Sequence, residues 1–441
     1  MDKTIKGVLR PLKGTITVPG DKSISHRSVM LGALSEGTTH VRGFLNGADC
    51  LSTIGCFRKM GIEIELSPDE TEVTIHGRGI HGLKQPSEML DCGNSGTTTR
   101  LLSGILAAQS FESELTGDES IQKRPMKRIM TPLSQMGADI SSIRGNGCAP
   151  LHISGSHLHG ITYESPVASA QVKSAILFAG LYADGDTTVI EPALSRNHSE
   201  LMLQALGAHV ETTMLPDGRA KITIKKCDKL TAPKETLEIP GDISSAAYFI
   251  SAALLVPGSD IVVKNVGINP TRAGILKAYA AMGADITLEH QHLAGSEDVA
   301  DIHVKYTESL HGTEIGGFLI PELIDELPVI AAVAAGAEGD TIIKDASELK
   351  VKESNRIAVM VDGFKNTGIT ADETEDGMII HGQGSRLSIH SGEIDTHKDH
   401  RIAMTFAVLA LAGGETTEIK LLDADCINIS YPGFFDDIAS I

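Results

Sequence analysis

Near the start of the chain, Gly20-Asp21-Lys22-Ser23-Ile24-Ser25-His26-Arg27 sets an ammonium, a hydroxyl and, one turn later, a guanidinium on one side of a stretch that reads as a helix start. Helix N-termini carry unpaired backbone N–H groups and a partial positive charge, so such a start is an anion trap. Further along, Asp91-Cys92-Gly93-Asn94-Ser95-Gly96-Thr97 offers glycines that let an anion touch the backbone, with amide and hydroxyl donors beside them. Ser169-Ala170-Gln171-Val172-Lys173 opens a third such helix, and Asp325 and the pair His400-Arg401 open two more. Between them run loops with further cations: Lys123-Arg124-Pro125, Ser195-Arg196-Asn197-His198 and Lys350-Val351-Lys352-Glu353-Ser354-Asn355-Arg356. Any one of these, taken alone, reads as a helix cap or a solvated charge. Their recurrence at equivalent places points instead to an assembled site for anions. Arg100, Lys173, Arg128 and Arg272 read more naturally as ties between loops.

The elements that must position these groups form a repeat. Helix ends followed by a glycine and a strand start recur at Lys59-Met60-Gly61-Ile62, Gln135-Met136-Gly137-Ala138, Ala205-Leu206-Gly207-Ala208 and Ala281-Met282-Gly283-Ala284. Their glycines stand 76, 70 and 76 residues apart, and Asn366-Thr367-Gly368-Ile369 is a looser copy. Short alternating strands follow, as at Val73-Thr74-Ile75-His76, Leu151-His152-Ile153-Ser154 and Met378-Ile379-Ile380-His381. A second series of helices, dense in small residues, is expected near Ser23, Thr97, Ala170, Ser244, Leu327 and Arg401. Six starts imply six α/β units, three per domain, with the small-residue helices inside and the charged Met-Gly helices outside. The stretch Pro240-Gly241-Asp242 echoes Pro19-Gly20-Asp21, so the chain should cross between domains at both. Residues 1–20 and 241–441 then make one domain and residues 21–240 the other, with an active site expected in the cleft between them. The GxGxxG string at Gly77-Arg78-Gly79-Ile80-His81-Gly82 is a false dinucleotide signal, because Pro86 follows where a helix is required.

Composition limits the ligands. A chain of 441 residues, 41% apolar, has material for two cores. A net charge of −19 leaves no broad basic face for a nucleic acid or an anionic membrane, so any anion must meet a local cationic pocket. Apolar runs at 327–337 and 402–412 are too short for a membrane span. Six scattered cysteines and a start without an apolar leader read as reduced thiols and a cytoplasmic address. No cofactor and no metal is expected; His397-Lys398-Asp399-His400 is the one spacing worth weighing, and His400 is better explained beside Arg401.

Taken together, GDKSISHR at 20–27, LDCGNSGTTTRLL at 90–102, KRPMKR at 123–128, SAQVKSA at 169–175, LKVKESNR at 349–356 and DHRIAM at 399–404 resemble the 5-enolpyruvylshikimate-3-phosphate synthase family, in its second, bacterial class. The resemblance implies two inside-out α/β barrels of three βαβαββ units each. It implies transfer of the enolpyruvyl group of phosphoenolpyruvate to the 5-hydroxyl of shikimate 3-phosphate, by a monomer with no nucleic-acid or membrane partner. Carried over by position, Lys22, Asn94, Gly96, Arg124, Gln171, Arg356 and Arg401 would hold phosphoenolpyruvate. Lys22, Ser23, Arg27, Ser169, Gln171, Arg196, Asp325 and Lys352 would hold shikimate 3-phosphate. Asp325 would take the hydroxyl proton, and Glu353 with Lys22 would serve the methylene carbon; the plainer reading of Glu353 is an ion pair with Arg356.

Two departures stand out. Ser169-Ala170 replaces paired serines, and Ser430-Tyr431-Pro432 replaces a lysine, implying one phosphate-site cation fewer. Gly96 implies that glyphosate, which competes with phosphoenolpyruvate in this family, still fits, while Leu101 stands where sensitive relatives have proline. Two rival readings are a transferase acting on a UDP-aminosugar, which usually has a cysteine in the loop at 116–124 where none occurs here, and a repeat protein that binds a phosphorylated metabolite without turnover.

Overall fold

A computed structural model describes residues 1–384 and 387–441. The second repeat shows the plan. Strand Leu90–Asp91 leads into helix Gly96–Leu106, strand Glu112–Thr116, helix Lys127–Gln135 and the hairpin strands Asp139–Ser142 and Leu151–Ser154. The first two strands pair in parallel, and the last inserts antiparallel between the second and third. The third repeat, residues 162–224, has the same order. Among the described residues the strands form six separate sheets, hydrogen-bonded within themselves and not joined into a closed barrel, in a mixed α/β fold.

The six small-residue helices are Lys22–Leu34, Gly96–Leu106, Ala170–Gly180, Ile243–Leu255, Leu327–Ala335 and His400–Ala412. Each begins within one residue of its expected start. Ile243–Leu255 and Leu327–Ala335 are buried at every position, which only uniformly apolar, small helices permit. Gly104 shows how closely two of them pack: a Cβ there would lie 2.1 Å from the carbonyl oxygen of Ala175. The outer helices end as their glycine signatures predict. Gly61, Gly137, Gly207, Gly283 and Gly368 all have φ between +81° and +97°. After each glycine, the next N–H reaches back five residues, as from Ile62 to the carbonyl of Phe57 and from Ile369 to that of Phe364.

The chain forms two compact units, each with its own core. One comprises Met1–Pro19, Pro240–Leu293 and Glu297–Ile441; the other comprises Gly20–Ile239 and Ala294–Ser296. Strand Lys13–Thr17 lies parallel to Asp260–Gly267 and so supplies the first strand of the fourth repeat. The first repeat takes its own from Leu230–Thr231 and Leu237–Glu238, which pair in parallel with Ser35–Arg42. Strand Lys3–Lys6 pairs antiparallel with Glu418–Leu422 and fills out the sixth repeat. Among the described residues, no helix is long and apolar enough to cross a membrane.

Candidate active site

In the unit built from Gly20–Ile239, the expected ligands gather at the N-termini of the inner helices. Asp21 caps the first one, accepting the N–H of Ile24 at 2.9 Å. This aims Lys22 outward, where it forms an ion pair with the nearly buried Asp49. Ser23 is half-buried beside it. Arg27 lies deeper, at 3% exposure: its Nε donates to Ser199 at 2.7 Å, and its Nη atoms donate to Ser174 and to the carbonyl of Ser23, both at 2.9 Å. Its fork braces Ser23 from behind.

The second helix start is the most crowded. Ser95 caps it, and Gly96 follows against two guanidiniums: a Cβ would lie 2.8 Å from Arg100 Nη1 and 3.2 Å from Arg124 Nη1, and both would have to shift. Arg124 donates to Asn94 Oδ1 at 3.3 Å, and Asn94 donates to Asp118 at 2.7 Å. Arg100 donates to Gln171 Oε1 at 2.6 Å, while the Gln171 amide donates to Thr97 at 3.1 Å. Asn94, Gly96, Arg124 and Gln171 therefore form one cluster, and Arg100 joins it rather than serving only as a tie. Ser169 caps the third helix, and Arg196 is half-buried in the loop before helix His198–Ala205. Lys173 is a tie, fully buried between Glu191 and Glu200 at 3.1 and 2.7 Å.

Beneath this surface runs a chain of hydroxyls that the sequence did not announce. His26 Nδ1 lies 2.7 Å from Thr53 Oγ1, which lies 2.7 Å from Thr98 Oγ1, which donates to the capping Ser95 at 2.7 Å. Burial, then the charges of Lys22 and Arg27, push the His26 pKa well below its ordinary 6.5, so the native ring stays neutral as the pH falls. The unfolded chain takes up that proton and the folded one does not. Stability is therefore full above pH 6.5 and declines below it, by about 1.4 kcal/mol per pH unit for one proton. Urea titrations between pH 7 and 5 should show a shallower decline in His26→Asn than in the parent; equal slopes would exclude His26 as the source.

In the other unit, the expected residues form a second cluster. Asp325 lies 3.3 Å from both Lys352 Nζ and Arg356 Nη1, and its main-chain carbonyl accepts from Arg401 Nη1 at 3.0 Å. Arg356, 1% exposed, also pairs with Glu353 at 2.5 Å and with Asp399 at 2.8 Å. The plain ion pair considered for Glu353 is thus present. Burial lowers the Arg356 pKa, but Asp399 and Glu353 more than offset that, and the net shift is upward. Arg401 behaves likewise, with burial outweighed by Asp325 above all. Arg272 is buried against Asp242 and Ser244 at 3.0 and 2.9 Å, a tie as expected.

Sequence reasoning missed the carboxylates: Asp49 opposite Lys22, Asp399 opposite Arg356, and Glu326, which is buried between Arg272 and Arg401 at 3.7 and 3.5 Å. Asp399 carried a signal, since it stands at a cap position and accepts the N–H of Arg401. Among the described residues, one histidine–carboxylate trio, Glu63, Glu65 and His76, lies close enough to share an ion, on a partly exposed sheet face away from these residues in sequence. His397 and His400 do not pair up: the first is exposed near Asp395 and the second is buried.

Comparison with known proteins reaches nearly every residue. The profile of the family described as EPSP synthase (3-phosphoshikimate 1-carboxyvinyltransferase) matches residues 8–438. The chain is 51% identical over 433 residues to the 3-phosphoshikimate 1-carboxyvinyltransferase of Brevibacillus brevis, covering 98% of each chain. It is 53% identical over 427 residues to that of a Thermoanaerobacter species, covering 97% of each. An EPSP synthase structure from Acinetobacter baumannii superposes with a TM-score of 0.87 at 47% identity, over 100% of this chain and 98% of that one. The enolpyruvyl transferase NikO of Streptomyces tendae, at 17% identity and a TM-score of 0.77 over 99% and 96%, shares the fold.

Proposed function

Since this chain belongs to the EPSP synthase family, we propose that its two clusters serve one reaction. The chain is a transferase of the shikimate pathway, a 3-phosphoshikimate 1-carboxyvinyltransferase, and its substrates are phosphoenolpyruvate and shikimate 3-phosphate. It moves the enolpyruvyl group to the 5-hydroxyl and releases phosphate. The two phosphates and two carboxylates of the substrates call for several charge-assisted donors, forked arginines above all.

In our reading, Lys22, Asn94, Gly96, Arg124, Gln171, Arg356 and Arg401 hold phosphoenolpyruvate. Lys22, Ser23, Arg27, Ser169, Gln171, Arg196 and Lys352 hold shikimate 3-phosphate. Asp325 accepts the proton of the 5-hydroxyl as its oxygen bonds to the central carbon, and Glu353 with Lys22 delivers a proton to the methylene carbon. Phosphate then leaves the tetrahedral ketal and the methyl group gives up a proton, restoring the double bond. The observation that carries this reading is the Asp325 cluster, a carboxylate flanked by Lys352 and Arg356. Six free cysteines support a reducing, cytoplasmic setting.

Phosphate release tests the assignment, measured in chelator with phosphoenolpyruvate plus either shikimate 3-phosphate or the UDP-aminosugar. Turnover with shikimate 3-phosphate alone is expected; turnover only with the UDP-aminosugar, or loss of activity on chelation, would sink it. Gly96→Ala tests the phosphoenolpyruvate half. Its methyl group would displace the Arg100 and Arg124 guanidiniums. The KM for phosphoenolpyruvate should rise about tenfold, the worth of one charge-assisted hydrogen bond, with that for shikimate 3-phosphate nearly unchanged. The glyphosate inhibition constant should rise more than either; equal rises would reject the placement.

A further inference from the structure

We propose that Glu191 is a positioning residue for shikimate 3-phosphate, holding Ser169 and the Arg196 loop in register from beneath. The proposal rests on the assignment of Ser169 and Arg196 to that substrate. Glu191 ends strand Thr187–Glu191 and is fully buried. Its Oε1 accepts the backbone N–H of Ser169 at 2.9 Å, in the residue that caps the third inner helix. The same carboxylate accepts the Ser195 N–H at 3.2 Å and the Ser195 hydroxyl at 2.8 Å, immediately before Arg196. Two segments that carry proposed substrate ligands are thus pinned to one group.

Lys173 completes the device. Its ammonium lies 3.1 Å from Glu191 and 2.7 Å from Glu200, and it donates to the Ser195 carbonyl at 3.0 Å. Burial alone lowers its pKa, but Glu200 and Glu191 reverse that, so it stays charged. Only an ionised carboxylate at 191 accepts from Ser169, from Ser195 and from the ammonium at once. Glutamine has the same shape but turns an NH2 toward donors on one side. The arrangement also explains why Lys173, in a motif full of ligands, points inward.

The test is the split between the two Michaelis constants in Glu191→Gln. The KM for shikimate 3-phosphate should rise tenfold or more, and that for phosphoenolpyruvate less than twofold. Glu191→Asp, which keeps the charge, should recover part of the loss. A purely structural role would lower the melting temperature and the active fraction while leaving both constants unchanged, and that result overturns the proposal. Should Glu191→Gln fail to fold, the same split is read in Glu191→Asp against the parent, and no rise there overturns it equally. Arg196→Met separates the two levels. If it leaves the shikimate 3-phosphate KM unchanged, the ligand assignment fails; if it raises that KM and the Glu191 variants do not, only the positioning role fails.

Discussion

Asp325→Asn is expected to lower kcat by a factor of about 10²–10⁴, the range spanned by a positioned general base. The substitution keeps the size of the side chain and removes its charge and its basicity. In the native chain, the carboxylate is 14% exposed and faces Lys352 and Arg356, both at 3.3 Å. The amide can still accept a hydrogen bond from either cation, so the local geometry should persist. The KM for shikimate 3-phosphate should change less than kcat, because the proton leaves the hydroxyl only as the reaction proceeds. Steady-state kinetics with both substrates varied gives the split, and calorimetry supplies the control for folding. A fall in kcat of less than tenfold would place the base elsewhere.

Arg356→Met should have the largest effect on stability. The guanidinium is 1% exposed and satisfies Asp399, Glu353 and Asp325 at once. Methionine fills much of the same volume but leaves these carboxylates without their shared cation. Removing one partner of a buried ion pair costs about 3–5 kcal/mol, far more than the net worth of the pair, because the remaining charge is uncompensated. For a unit of this size, the melting temperature should fall by on the order of 10 °C. Arg356→Lys restores the charge without the fork, and so should recover part of the stability but little of the phosphoenolpyruvate KM. Unchanged melting and an unchanged KM in Arg356→Met would contradict both roles.

The repeat was legible because its signals are local. A helix that ends at such a glycine needs a left-handed residue there, and all five of the glycines have one. Small-residue helices preceded by Asp or Ser announce their own caps, which is why their starts fall within a residue of expectation. The cations were legible for the same reason, since they stand beside those caps. Their counter-charges were not. Arg356 and Asp399 come from successive repeats, 43 residues apart, and no periodicity links them. Reading only the cations suggested an anion cage; the structure adds carboxylates beside Lys22, Lys173, Arg272, Arg356 and Arg401. Arg100 ties its helix to the Pro125 carbonyl, as expected, and its further bond to Gln171 depends on how two inner helices meet. The strands Leu230–Thr231 and Leu237–Glu238 are too short to show any alternation.

The borrowed strands impose an order on biosynthesis. A ribosome emits a chain from N- to C-terminus, and domains tend to fold as units as they emerge. Residues 3–17 emerge long before their partners, Asp260–Gly267 and Glu418–Leu422. The first repeat, by contrast, can be completed as soon as Leu237–Glu238 has appeared. The earliest segment therefore waits unpaired through most of translation while the unit behind it assembles. Its sequence suits the wait: Lys3–Lys6 and Lys13–Thr17 hold one isoleucine each among lysines, threonines and a glycine, which gives a nascent strand little to aggregate with.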